Sequence, residues 1–424
     1  LMNNEDNIFL SSAVELTKID VKDLQIGMYV SELDRPWVET TFLFQGFELK
    51  TKADIKDVQK QCEYVFIDVE KQSKTIIFTS SNTAYSKGQL DKGPPPKKKS
   101  NFSQEFVQAE IVFQETGSIV KSFMEDVTLG RAINLEMAIK AVADCVKSII
   151  KSPDALMWLT QLKNVDEYTS QHSMNVCIFS IALGRQLNMP ETELEKVGLC
   201  GMMHDMGKMK VPIEILNKPG RFEPEELAIM QSHPAKGWKL LMSDPDMPGY
   251  AIDAAYGHHE RMDGKGYPRG LPAERIHLFT RIVTIADMYD AISSDRVYKK
   301  GKTHLDSINI MTKAMGSQLD SKLVLKFIES LGVYPPGNIV EMTNGEVAII
   351  IEVNQAKKLK PKITMLLDEN KKRVKPRLVD LAKMDLDASG KSYGIKRMLR
   401  AEDCDIDINQ LYNMGLIKDC LGGA

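Results

Sequence analysis

The sequence predicts a mainly α protein, an all-helical domain flanked by a small N-terminal α+β module and a small C-terminal β appendage. Three observations predict it. Apolar residues recur at three- and four-residue spacing almost throughout residues 104–335, as amphipathic helices require. Strand-like alternation of apolar and polar residues appears before and after that region. Proline clusters, Pro94-Pro95-Pro96 and Pro335-Pro336, separate the three parts. The 43% apolar and 27% charged fractions suit an ordinary globular protein, and the 424 residues are enough for more than one core.

The N-terminal module covers residues 1–92. Residues up to Thr17 are polar and are expected to be loosely ordered. Leu24 to Val30 alternates like a short strand, Trp37 to Leu49 reads as a second extended stretch, Thr51 to Lys60 as a short helix and Tyr64 to Val69 as another strand. The module holds no metal-ligand cluster and no glycine-rich phosphate loop, so a regulatory or interactive role is expected. Residues 93–103, with three prolines and three lysines, read as a stiff solvated linker.

From residue 104 the helices follow in order. Glu105 to Leu129, Asn134 to Ser152, Leu156 to Asn164 and Asp166 to Leu187 carry helical periodicity. Pro190 opens a helix ending at His204-Asp205, and Pro224 opens one running towards His233-Pro234. Another ends at His258-His259-Glu260, and Asp263-Gly264-Lys265-Gly266-Tyr267-Pro268 must be a loop. Ile276 to Ser293 and Thr303 to Leu331 complete the domain. In residues 336–424, Asn338 to Val353 and Lys362 to Leu367 read as strands, with Asn344-Gly345 as a hairpin turn. The remainder reads as a polar tail.

A formal charge of −3 gives no general attraction to nucleic acid polymers or anionic membranes. No apolar run approaches the roughly 18 residues of a membrane span. The six cysteines form no Cys-x-x-Cys pair and read as reduced thiols, so a cytoplasmic location is expected.

The chemistry gathers around Cys200-Gly201-Met202-Met203-His204-Asp205-Met206-Gly207-Lys208. Lys208 lies four residues after His204 and three after Asp205, so it can place a cation beside whatever they hold. Gly207 allows close backbone approach or a helix end. All seven histidines fall in the helical domain, and five of them (His172, His204, His233, His258, His259) lie at helix ends or on helix faces. With Asp205 and Asp287 they form a nitrogen and oxygen donor set suited to iron, manganese or zinc rather than calcium or magnesium. So many donors exceed one tetrahedral site and suit two adjacent open ones, with Asp205 shared. Asp287 sits in an apolar helix where an unpaired carboxylate would be costly to bury, which favours a metal or cationic partner. Asp290, one turn on, is placed to orient a histidine. His277 and His304 lack such company and read as ordinary.

The string His172…His204-Asp205-x-x-Lys208…His233-Pro234…His258-His259-Glu260-x-x-Asp263-Gly264-x-Gly266-Tyr267-Pro268…Asp287 resembles the HD-GYP family of bacterial cyclic dinucleotide phosphodiesterases. The N-terminal module resembles, more loosely, the uncharacterised domain often fused ahead of such domains, and the C-terminal strands resemble an appendage seen after many of them. The resemblance implies an all-α HD-type catalytic domain. It implies one metal held by His172, His204, Asp205 and Asp287, and another by Asp205, His233, His258 and His259. Iron or manganese is expected, with a hydroxide bridging the two ions and attacking the phosphodiester of cyclic di-GMP, 3',3'-cGAMP or both, to give the linear dinucleotide. Asp205 and Lys208 would be catalytic, with Lys208 touching the scissile phosphate. Arg296, Lys299, Gly266 and Tyr267 would serve substrate binding. Tyr168 stands where some members carry a glutamate for a third metal, and Glu167 points elsewhere, so a binuclear site is expected. A protein partner or dimer contact through the N-terminal module or the Gly-Tyr-Pro loop is a further expectation. The competing readings are a catalytically silent dinucleotide receptor and another HD-type nucleotide phosphohydrolase.

Overall fold

The computed structural model describes residues 16–24, 26–34, 47–49, 51–68, 102–162, 168–295, 300–354, 356–387 and 389–415. The expected extended stretch from Trp37 lies outside these residues except at its end, and so does the linker except for Phe102 and Ser103. The chain divides into two units, Leu1–Ala84 and Tyr85–Ala424.

In the first unit, β1 (Leu16–Asp20), β2 (Tyr29–Leu33), β3 (Phe47–Glu48), α1 (Lys52–Gln61) and β4 (Tyr64–Asp68) build an antiparallel sheet of order β1-β4-β2-β3. Two expectations shift. Leu16 and Thr17 belong to a strand, because β4 supplies pairing partners for both. The strand expected at Leu24 starts only at Tyr29, because Gly27 takes a positive φ of 94° and turns the chain first. Thr51 caps α1 with a reciprocal capping box to Asp54.

The second unit opens with α2 (Phe102–Thr128), α3 (Leu135–Lys151), α4 (Pro153–Leu159), α5 (Tyr168–Gln186) and α6 (Glu191–Met203). A 3-10 turn over Met206–Lys210 leads to α7 (Ile213–Leu216), α8 (Pro224–Gln231), α9 (His233–Met242) and α10 (Gly249–Gly257). Then come α11 (Leu278–Ser293), α12 (His304–Ala314) and α13 (Ser321–Leu331). The helix expected over Thr303 to Leu331 is thus two helices. Gly316 takes a positive φ of 74°, and Asp320 restarts the chain by accepting from the backbone of Lys322 and Leu323.

Close backbone contact draws the site-bearing helices together. A Cβ at Gly201 of α6 would meet the Cys177 Cα of α5 at 2.8 Å. One at Gly207 would meet the His233 carbonyl oxygen at 2.0 Å, which seats the Met206–Lys210 turn directly on α9.

The C-terminal part holds more structure than a polar tail. β5 (Ile339–Met342), β6 (Val347–Glu352), β7 (Lys362–Leu367), β8 (Arg373–Asp380) and β9 (Ile395–Leu399) form a sheet of order β8-β7-β6-β5-β9, followed by α14 (Ile408–Asn413). β8 is an edge strand whose alternate positions Arg373, Lys375 and Arg377 are exposed cations, so its apolar signal is weak. Along β6, Val347, Ile349 and Ile351 join the helical core, while Ala348 and Ile350 join a second core within the sheet. The Val353 amide donates to Asp154 beneath it at 3.0 Å.

Candidate metal centre

The end of α6 sets the site. His204 caps α6, and Asp205 follows with non-helical φ and ψ, so the two side chains leave a helix end already buried in the core. Around them α5 brings His172, the start of α9 brings His233, the end of α10 brings His258 and His259, and α11 brings Asp287.

All seven predicted donors converge. The donor atoms of His172, His204 and Asp287 lie within 4.8 Å of one another, as do those of His233, His258 and His259. Those of His204, Asp205 and His258 form a third such triad between the two. His172 Nε2 lies 3.4 Å from Asp205 Oδ2 and 3.1 Å from Asp287 Oδ1. Asp205 Oδ1 lies 3.3 Å from His233 Nε2 and 3.7 Å from His258 Nε2.

The rear nitrogens of these rings are held. His204 Nδ1 donates to the Gly201 carbonyl at 2.7 Å, His233 Nδ1 to that of Met230 at 2.8 Å, and His258 Nδ1 to that of Ala255 at 3.0 Å. A carbonyl can only accept, so in each neutral ring the proton sits on Nδ1 and the Nε2 lone pair points inward. Asp290 holds His172 Nδ1 at 2.7 Å and is itself held by Asn175 at 2.9 Å and Ser294 at 3.2 Å, which is the orienting role its spacing suggests.

This arrangement fits a divalent ion. His204 Nε2 and Asp205 Oδ1 are buried with no hydrogen-bond partner, an unfavourable state for polar atoms unless a cation faces them. Imidazole nitrogens and carboxylate oxygens are the donors that first-row transition ions accept.

The electrostatics differ across the cluster: burial opposes a proton on His172, but Asp205, Asp287 and Asp290 outweigh it and hold its pKa well above the ordinary histidine value. Burial, then the neighbouring imidazoles of His259, His204 and His233, push His258 well below the ordinary histidine value, and burial takes His259 down to about 3, so both rings are neutral donors. Burial opposes charge on Asp205, but Lys208 and His204 outweigh it and keep the carboxylate ionised. Burial likewise opposes the Lys208 ammonium, and Asp205 and Asp287 outweigh it. Lys208 Nζ lies 2.5 Å from Asp205 Oδ2, on the shared face the spacing implies.

A cavity of about 820 Å³ opens onto this cluster, lined by Lys208, His233, His259, Tyr267 and Asp287 on one side and by residues of α2, α7 and α8 on the other. Tyr267 stacks on His259 with ring centroids 4.8 Å apart. Gly266 is not among the lining residues. A Cβ there would meet the Arg261 amide nitrogen at 2.4 Å, so it packs the loop against the chain that carries His259. Arg296 and Lys299 lie outside the described residues. His277 caps α11, and His304 is held between Tyr289 and the Gly332 carbonyl, both away from the cluster.

Two contributions escape a reading of the sequence. Glu260 is buried and accepts from the backbone of Arg269 at 2.8 Å and Leu271 at 2.9 Å, which ties the Gly-Tyr-Pro loop down. A buried carboxylate beside His258-His259 and ahead of a glycine-rich loop is the signal that could have found it. The other is α2, whose Val127 carbonyl accepts from Lys210 at 2.7 Å and whose last turns wall the cavity.

The chain matches an HD domain over residues 149–323, a domain of unknown function (DUF3391) over 16–138 and a KOW domain associated with HD domain over 339–403. A cyclic di-GMP phosphodiesterase of Pseudomonas aeruginosa is 33% identical over 372 residues, covering 87% of this chain and 89% of that one. The chain belongs to the HD-GYP family of cyclic dinucleotide phosphodiesterases. This HD-GYP chain is also 32% identical over 168 residues to a 3'3'-cGAMP-specific phosphodiesterase of Vibrio cholerae, over 40% of this chain and 36% of that one. Among solved structures, an HDGYP protein from Bdellovibrio bacteriovorus aligns with a TM-score of 0.46 and 17% identity, over 74% of this chain and 99% of that chain. Among the described residues, no helix is long and apolar enough to cross a membrane.

Proposed function

We propose that this chain is a metal-dependent phosphodiesterase that opens a cyclic dinucleotide, cyclic di-GMP or 3',3'-cGAMP, to its linear form. The observation that carries this reading is the convergence of five histidines and two aspartates from five helices into one cluster, of which His233, His259 and Asp287 line a cavity. The Pseudomonas and Vibrio relatives, named for those two substrates, support the substrate class.

His172, His204, Asp205 and Asp287 would hold one ion, and Asp205, His233, His258 and His259 the other, iron or manganese being the choice the donors favour. When bound, such a pair polarises a phosphodiester and lowers the pKa of water. Lys208 binds a phosphate oxygen and offsets the charge that grows on it as the phosphorus–oxygen bond to the 3′-oxygen breaks. Asp205 keeps the Lys208 ammonium in place at 2.5 Å. Asp290 fixes the His172 ring, and Tyr267 covers the His259 ring. Met124, Met209 and Met230 give the cavity apolar walls that limit water around the reacting phosphate. Reduced cysteines at Cys62, Cys145, Cys177, Cys200 and Cys404 suit the cytoplasmic setting that belongs to this reading.

The test is an assay of purified, manganese- or iron-loaded protein on both dinucleotides, with products resolved by chromatography. Linear dinucleotide from either one supports the reading; recovery of both intact from fully loaded protein overturns it.

A further inference from the structure

One wall of the cavity comes from outside the HD domain match. Lys121, Glu125 and Thr128 line it from the last turns of α2, at four- and three-residue spacing and so on one helix face. α2 ends at Thr128, whereas the HD domain match begins at residue 149.

Glu125 is the unexpected member of this wall. It is exposed, it lines the cavity, and among the described residues its side chain makes no hydrogen bond or ion pair. The ligand of this cavity carries two phosphates, and Asp287 already places negative charge on its lining, with Asp205 buried behind it across His172. A carboxylate facing that ligand is repelled by the phosphates and needs N–H donors from another part of it.

The bases supply that part. Guanine presents an imino N–H and an amino group side by side on its Watson–Crick edge, a pair of donors matched to two carboxylate oxygens. Adenine presents its amino group beside a bare ring nitrogen, which would face the carboxylate lone pair to lone pair. Leu129, at 65% exposure, and Phe222 line the same cavity and offer apolar surface to the flat face of a base.

We infer that Glu125 reads the Watson–Crick edge of one guanine and makes the cavity selective for guanine-containing cyclic dinucleotides. This inference rests on the phosphodiesterase reading above. A group on α2 thereby sets base selectivity, while the metal cluster and Lys208 act on the phosphate.

The experiment compares kcat/KM for cyclic di-GMP, 3',3'-cGAMP and cyclic di-AMP between the wild type and Glu125→Gln, at equal measured metal content. A glutamine amide offers one acceptor and one donor, which suits adenine's edge and can no longer accept from both guanine N–H groups. The expected result is at least about a tenfold fall in the cyclic di-GMP to cyclic di-AMP ratio of kcat/KM. Glu125→Ala should lose the guanine preference without gaining on adenine. Equal losses on all three substrates, or an unchanged ratio, overturn the inference and leave the phosphodiesterase reading intact. A wild type that cleaves none of the three overturns both.

Discussion

His233 and His258 face each other through their Nε2 atoms at 3.1 Å, while the Nδ1 of each donates to a backbone carbonyl. In the neutral rings neither facing nitrogen carries a proton, so two lone pairs meet at hydrogen-bond distance. A cation drawing on both relieves that contact, and binding it stabilises the fold by mass action. Chelation should therefore lower the melting temperature by about 5 °C or more, and manganese should restore it. Calorimetry with and without chelator checks this; a melting temperature indifferent to both additions contradicts it.

Lys208 pairs with the Asp205 carboxylate and lines the cavity, but it is not itself among the candidate metal donors. Lys208→Met should reduce kcat by about a hundredfold or more, the range for losing one charge-stabilising donor. Metal content per chain should be unchanged. Steady-state kinetics beside metal analysis separates the two effects.

Gly207→Ala puts a Cβ 2.0 Å from the His233 carbonyl oxygen and 2.4 Å from the Gly237 amide nitrogen, both backbone atoms that cannot swing aside. The Met206–Lys210 turn must then lift from α9, parting Asp205 from His233. Expected results are a destabilisation of about 3 kcal/mol and reduced metal content. Urea titration and metal analysis of the purified variant would show both.

His304 gives the fold a pH dependence of its own. Its Nδ1 accepts from the Tyr289 hydroxyl at 2.9 Å, and its Nε2 donates to the Gly332 carbonyl at 3.1 Å, so the neutral ring is fully satisfied. Burial pushes its pKa down to about 4, with the Gly332 contact partly opposing. Between about 4 and the unfolded value of about 6.5, the unfolded chain holds the extra proton. The contribution is thus complete above about pH 6.5 and lost as pH falls towards 4, by roughly 3 kcal/mol. Melting curves from pH 7 to 5 should fall more steeply for the wild type than for His304→Gln. Parallel curves would show that His304 plays no such part.

The candidate metal donors are legible in the sequence because each is a polar residue at a helix end or in an apolar helix, where burial without a partner is costly. Gly207 is legible for a similar reason, as a residue whose value lies in having no side chain. The role of Glu260 is not, since its partners are the amides of Arg269 and Leu271, which any residue would supply. Nor is the α2 wall: periodicity separates a buried face from an exposed one, but packing decides that Glu125 borders a cavity. β8 hides for another reason, because an edge strand bearing exposed cations has the composition of a tail.

The central claim is that Asp205 is shared by two neighbouring cations. Elemental analysis of manganese-reconstituted wild type and Asp205→Ala, on folded and desalted protein, tests it most directly. The expected result is about two ions per chain in the wild type and a loss at both positions in the variant, with activity lost alongside. An Asp205→Ala protein that keeps both ions and full activity contradicts it.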